Sequence, residues 1–330
     1  MIQRILGLML LMTSVAVAQK GIPSTITFIV KNDLGQPATN AAVEGGFLDF
    51  SQSGARDRFK GMTDTNGIYV AEGNAVLGVC AGFSSFGFVY PTEIKKNIEY
   101  KRKQDGQGYE RIDHWDVEIP VLLKRIRNQI PMFMKGVENP YVSAFEGVGK
   151  YCLGKTSSYD FVKGSFLPPH GNGEVADLDF KWWMAIYTKN KAGRAIDYDT
   201  LCEVRLTNVV DGICRGTPDG DEDGQVGSAY FSDYNAPVEG YTNTISFYDN
   251  VRGTKADSND DRHYLYYFRI RTQTNAAGQV TNALYGKIYG QINGRFTYYL
   301  NPTPNDRNVE FAPKQNLFKK LPPQKEVRKP

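Results

Sequence analysis

Val30-Lys-Asn-Asp33-Leu-Gly35-Gln-Pro37-Ala-Thr-Asn40-Ala-Ala42-Val43 and, further on, Thr63-Asp64-Thr-Asn66-Gly67-Ile-Tyr69-Val70 decide the fold class of this chain. An apolar strand runs into an Asn-Asp-x-Gly turn, and Pro37 brings no amide hydrogen with which to resume pairing at once. A strand of small residues follows. Asp64-Thr-Asn-Gly67 makes a second tight turn, because Asn and Gly accept positive φ and Asp bonds its own turn backbone. Short alternating runs parted by such turns read as antiparallel β-structure.

Working outward, Ser24 to Val30 alternates, with Ile26, Phe28 and Val30 on one face and Thr25, Thr27 and Ile29 on the other. Ala41 to Phe50, Gly67 to Ala71, Ala75 to Cys80, Gly87 to Tyr90 and Trp115 to Leu123 are further strand candidates. Glu93 to Gly108 is polar and Lys-rich, an exposed excursion with room for a short helix. The Asp-Leu-Gly-Gln-Pro and Thr-Asp-x-Asn-Gly elements, in this order and spacing, resemble the carboxypeptidase regulatory-like domain over roughly Ser24 to Lys124. The resemblance implies a seven-stranded transthyretin-like β-sandwich that decorates secreted proteins and catalyses nothing. The Lys-rich insertion departs from the compact pattern of that family.

The N-terminus points to export. Met1 to Arg4 carries a positive charge, Ile5 to Val15 is apolar, and Ala16-Val17-Ala18 is an A-x-A cleavage site. Residues 1–18 therefore read as a signal peptide, with a mature chain from Gln19 that is periplasmic or extracellular. That apolar run is too short to span a bilayer, and no other segment approaches the length a span requires. The formal net charge of +3 gives no electrostatic case for nucleic acid. Twenty Tyr, 18 Phe and 33 Gly favour many short strands joined by tight turns.

We expect a mostly-β chain of two domains. Residues 19–124 form the sandwich, 125–140 a linker, 141–318 a second and mainly antiparallel β domain, and 319–330 a basic, disordered tail. Met132-Phe-Met134 makes the linker apolar enough to dock. In the second domain Val175 to Thr188, Leu201 to Val209 and Thr242 to Phe247 read as strands. Tyr264 to Thr272, Leu284 to Ile292 and Arg295 to Leu300 form a meander turned by Asn275-Ala-Ala-Gly278 and Asn293-Gly294. Its first strand sets Tyr264, Tyr266, Phe268 and Ile270 against Tyr267, Arg269 and Arg271.

Chemistry is sparse. There is no G-x-S-x-G elbow, P-loop, G-x-G-x-x-G or H-E-x-x-H, and only His114, His170 and His263 are available as imidazoles. Asp219-Gly-Asp221-Glu-Asp223-Gly224 matches the first half of a calcium loop, so any bound calcium belongs on Asp219, Asp221 and Asp223. Tyr230 stands where the bidentate Glu is required, and the competing reading is an acidic surface loop. His170 and Glu174 with Asp177 and Asp179 form a second polar cluster, and Asp116 and Glu118 share a strand face.

Four cysteines occur, none in a C-x-x-C pair, which disfavours structural zinc. Cys202 and Cys214 are expected to bridge, with Asp211-Gly212 turning the chain back; the alternative is buried free thiols. Trp182 and Trp183, adjacent in a strand, must face opposite sides, one toward the core and one toward a contact surface for a glycan or an envelope protein. These features favour a non-enzymatic binding or structural protein of the bacterial envelope. A carbohydrate-active hydrolase or glycan-binding accessory protein, acting through the second domain, is the alternative.

Overall fold

The computed structural model describes residues 21–48, 55–85, 89–100, 112–138, 155–217, 226–228, 230–259, 265–319, 321–322 and 325. The chain divides into two compact units, one of residues up to Phe83 with Ile94–Val121, the other of Ser84–Glu93 with everything from Leu122 onward. The expected signal peptide 1–18 lies outside the described residues. Among those described, regular structure is almost entirely β-strand.

In the first unit the strands are β1 (Ile22–Asn32), β2 (Ala42–Leu48), β3 (Ala55–Met62), β4 (Ile68–Ala75), β5 (Gly78–Ser84), β6 (Thr92–Asn97) and β7 (Trp115–Leu123). They form one sheet in the order β4-β1-β7 and another in which β6-β5-β2-β3 follow one another. Alternation in β1 buries Ile26, Phe28 and Val30 completely. Phe28 then meets Phe83 of the opposite sheet edge-on, with ring centres 5.1 Å apart. Thr92–Asn97 is extended where a short helix was envisaged, and residues 101–111 lie outside the described part.

The two quoted turns form as their chemistry demands, and they touch. Asn32 accepts the Gly35 amide on its carbonyl at 2.9 Å and the Leu34 amide on Oδ1 at 2.9 Å. Pro37 does return to β1, but only as a lone bridge to Lys31. Asp64 Oδ1 accepts the amides of Asn66 and Ile68, both at 2.8 Å. Gly67 sits at φ +73, its carbonyl accepts the Val30 amide at 2.8 Å, and a Cβ there would lie 2.4 Å from the Val30 oxygen. Gly67→Ala is therefore expected to cost at least about 1–3 kcal/mol in urea unfolding. Gly67→Asn should not rescue it, since asparagine eases the φ but keeps the Cβ.

The second unit holds β8 (Ile130–Glu138), β9 (Lys155–Asp160), β10 (Ser165–Phe166), β11 (Leu178–Lys189), β12 (Ala195–Leu206), β13 (Gly212–Arg215), β14 (Val226–Ser228), β15 (Thr244–Arg252), β16 (Lys255–Ser258), β17 (Leu265–Thr274), β18 (Val280–Gly290), β19 (Arg295–Leu300) and β20 (Phe311–Asn316). Two six-stranded sheets result, β10-β9-β11-β12-β15-β16 and β13-β17-β18-β19-β8-β20. Phe180, Trp182, Val204 and Phe247 of the first pack on Phe268, Ile270, Ile288 and Tyr298 of the second. The other face of the second sheet buries Leu265, Tyr267 and Tyr299 with Met132, Met134, Val309 and Phe311. Both faces of β17 are thus core.

Two expectations are corrected here. The 125–140 segment is not a linker: Ile130–Glu138 is a strand bonded to β19 and β20, with Met132 and Met134 fully buried. Cys202 and Cys214 do not bridge; both are free thiols. Ile213 points into the packing between the sheets, so alternation turns Cys214 to the far side of its sheet, away from Cys202 in that packing. Burial lifts the Cys214 thiol to about 11 and the Cys202 thiol higher still.

Candidate ligand-binding face

The outward face of the first sheet of the second unit is built by alternation along β11 as far as Trp183, with Tyr187 exposed at the register shift beyond it. Leu178, Phe180 and Trp182 go to the core, and Asp179, Lys181, Trp183 and Tyr187 come to the surface. Trp182 is 9 % exposed and Trp183 36 %, so the adjacent indoles part as the strand period requires. Register then decides the neighbours. Trp183 stands opposite Leu201 of β12, and Leu201 opposite Tyr248 of β15. Leu201 is 39 % and Tyr187 58 % exposed. A tryptophan, a leucine and a half-buried tyrosine therefore lie abreast across three strands, a stripe about 10 Å long across the strands at ordinary strand spacing.

Polar rows flank the stripe. On one side Asp199 stands opposite Asn250, on the other Glu203 stands between Lys181 and Ser246. Arg252 grips Asp199 with two parallel bonds of 2.8 and 2.9 Å, and Tyr187 donates its hydroxyl to the same carboxylate at 2.8 Å. The Arg252 guanidinium also lies 4.4 Å from the centre of the Tyr187 ring. Arg252 holds the Asp199 carboxyl below the usual carboxylate range, and the bond to Asp199 raises the Tyr187 hydroxyl. Such a carboxylate cannot serve as a proton donor near neutral pH. The face offers ring stacking and fixed hydrogen-bond partners.

The other sequence-read clusters do not converge on a site. Glu174 pairs with Lys163 at 2.8 Å, Asp179 accepts the Ser158 hydroxyl at 2.6 Å on the open face, and Asp177 is buried. Asp177 joins Asp160 around Arg271, whose Nε and Nη2 reach the two carboxylates at 3.0 Å each. Asp160 further accepts the amides of Val162, Lys163, Glu174 and Val175, so no lone pair is left for a metal. Asp116 stands on an exposed strand face, paired with His114 at 2.9 Å. Among the described residues no three metal-ligating side chains converge. Asp219, Asp221 and Asp223 lie outside them, so the calcium reading rests on sequence alone.

One interior cluster carried no signal in the sequence. Lys287 on β18 is fully buried. Its Nζ lies 4.0 Å from the ring centre of Tyr230 and 4.9 Å from those of Tyr289 and Tyr299, and donates to Ser232 Oγ at 3.1 Å. Lys124 donates to the Ser232 carbonyl at 2.6 Å. Burial, reinforced by the like charge of Lys124, holds the Lys287 amine well below the usual lysine range. The unfolded chain then binds more protons than the native one, so stability should rise with pH up to about pH 10, where tyrosines begin to titrate. Lys287→Met keeps the volume and should flatten that slope in urea titrations, while raising stability at neutral pH by on the order of 1 kcal/mol.

No protein-family model matches this chain, and no curated protein matches it. Among solved structures it is similar to 3-chlorocatechol 1,2-dioxygenase from Rhodococcus opacus 1CP, at TM-score 0.24 and 10 % identity over 32 % of this chain and 61 % of that one. A DUF3823 family protein from Parabacteroides merdae has TM-score 0.21 and 9 % identity over 88 % and 100 % of the two chains. BcpA, the major pilin subunit of Bacillus cereus, has TM-score 0.21 and 12 % identity over 87 % and 99 %. At those scores the likeness assigns neither a family nor a ligand.

Proposed function

We propose that this chain is an exported, non-enzymatic binding protein whose second unit takes a glycan on the open face of β11, β12 and β15. The observation that carries the reading is Trp183, exposed and in register with Leu201 and Tyr248 across three strands. Flat aromatic faces stack on the apolar faces of sugar rings, and the ordered polar rows alongside supply partners for hydroxyls. The hydrolase alternative needs a proton-donating carboxyl, and Asp199 in the row beside the stripe is held ionised by Arg252.

The first unit, on this reading, is a non-catalytic β-sandwich of the carboxypeptidase regulatory-like kind, supported by its turn motifs and its paired sheets. Export rests on the signal-peptide pattern of residues 1–18. The test is affinity electrophoresis of the mature protein through gels containing soluble polysaccharides. Trp183→Ala should abolish any retardation while leaving the melting temperature within a few degrees of the parent; a retarded Trp183→Ala protein would move the binding elsewhere.

A further inference from the structure

The chemistry of the two rows beside the stripe narrows the ligand. Three cations beside the aromatic stripe face a carboxylate on their own sheet. Arg252 is spent on Asp199 through two bonds, Arg205 lies 3.8 Å from Asp179, and Lys181 stands directly opposite Glu203. A uronate or sulfate laid here would meet the carboxylates of Asp199 and Glu203, with Arg252 and Arg205 already engaged, which disfavours an acidic polymer.

The stripe also sets a direction and a shape. Its three side chains come from neighbouring strands, so the apolar track runs perpendicular to the strands, and its length of about 10 Å spans roughly two sugar rings. The flanking side chains sit two residues along each strand, about 6.6 Å to either side. A pyranose whose hydroxyls are all equatorial offers a flat hydrogen-lined face to the stripe and projects its hydroxyls sideways toward Asn250 and Ser246. An axial hydroxyl or a helically coiled chain would lift the ring off Leu201 and Tyr248.

Resting on the binding role proposed above, we infer that this face selects a neutral, extended glycan of equatorially substituted pyranoses, lying across β11, β12 and β15. Asp199 and Arg252 position Tyr187 as a wall at one side of the track, so the chain is held flat and is not enclosed.

Isothermal titration of the mature protein with cellohexaose, maltohexaose and hexagalacturonic acid tests it. Cellohexaose is expected to bind with an affinity little changed by added salt, Trp183→Ala to weaken it about 30-fold, and Trp183→Phe to recover most of the loss. Maltohexaose and hexagalacturonic acid should bind at least tenfold more weakly. Tighter binding of either one, lost in Trp183→Ala, would overturn this choice of ligand and leave a glycan-binding face standing. Binding of none of the three, or binding that Trp183→Ala leaves intact, would overturn both. Equal melting temperatures of parent and variants secure the comparison against misfolding.

Discussion

Arg271→Ala is expected to destabilise the second unit by about 3–5 kcal/mol, toward the lower end because the side chain is partly exposed. The residue joins three buried carboxylates. Its guanidinium bonds Asp160 and Asp177, while its own amide and that of Thr272 bond Asp211. Removing it leaves the buried Asp160 and Asp177 charges without their cation. Arg271 also sits at φ +54 within the register shift of β17. Arg271→Gly should thus be less damaging than Arg271→Ala by about 1 kcal/mol, since glycine relieves the backbone without restoring the charge.

The pH dependence gives an independent check. Burial alone would raise the Asp160 carboxyl, but the amides of Lys163, Val175 and Glu174 and the Arg271 charge outweigh it and hold it lowered. Its stabilisation is present above the unfolded value near 3.9 and is lost as pH falls through the folded one. Burial already raises Asp177 against the pull of Arg271. Without the arginine both carboxyls move up, so the native variant binds protons more tightly than the native parent, and acid costs it less. The deficit of Arg271→Ala relative to the parent should shrink as the pH drops from 7 toward the ordinary carboxylate range. A deficit that stays constant over that interval would mean that the arginine acts by packing alone.

Local chemistry was legible in the sequence wherever a feature closes within a few residues. The turns at Asn32–Gly35 and Asp64–Gly67, the hairpin glycine at Gly278 with φ +75, and the alternation of β1, β11 and β17 all belong to this class. What depended on a distant partner was hidden. Ile130–Glu138 read as a linker because Pro131 interrupts its alternation, yet it pairs with β19 on one side and with β20 on the other. Phe311–Asn316 contains Pro313 and sits at the end of its sheet, where a strand can spare an amide. Lys287 is buried because both faces of its sheet are covered, which nothing near it in the chain announces. The same limit applies to the candidate face. Trp183 could be named from alternation, whereas Leu201, Tyr248, Asp199 and Arg252 join it only through the registers of β12 and β15. The cysteines fail for this reason too, since spacing in the chain says nothing about which side of a sheet each thiol takes.

Trp182→Ala should cost about 3–5 kcal/mol of stability, whereas its neighbour Trp183→Ala should cost about 1 kcal/mol or less. Trp182 stands opposite Cys202 on β12 and packs in the shared core of the two sheets, among side chains from both. Truncating it removes a large apolar surface and opens a void between two sheets that their hydrogen-bond ladders hold at a fixed spacing, so little relaxation can fill it. Trp183 is exposed on the open face opposite Leu201, so its removal opens no cavity in the core. Urea denaturation of the two variants, followed by far-UV circular dichroism, measures both costs. Binding separates them in the opposite sense: at temperatures where Trp182→Ala remains folded it should keep the ligand affinity, because Trp183 and Tyr248 are supported by backbone pairing that the core truncation leaves in register. Equal losses of stability in the two variants would place both indoles in the core and remove the exposed ring on which the binding face depends.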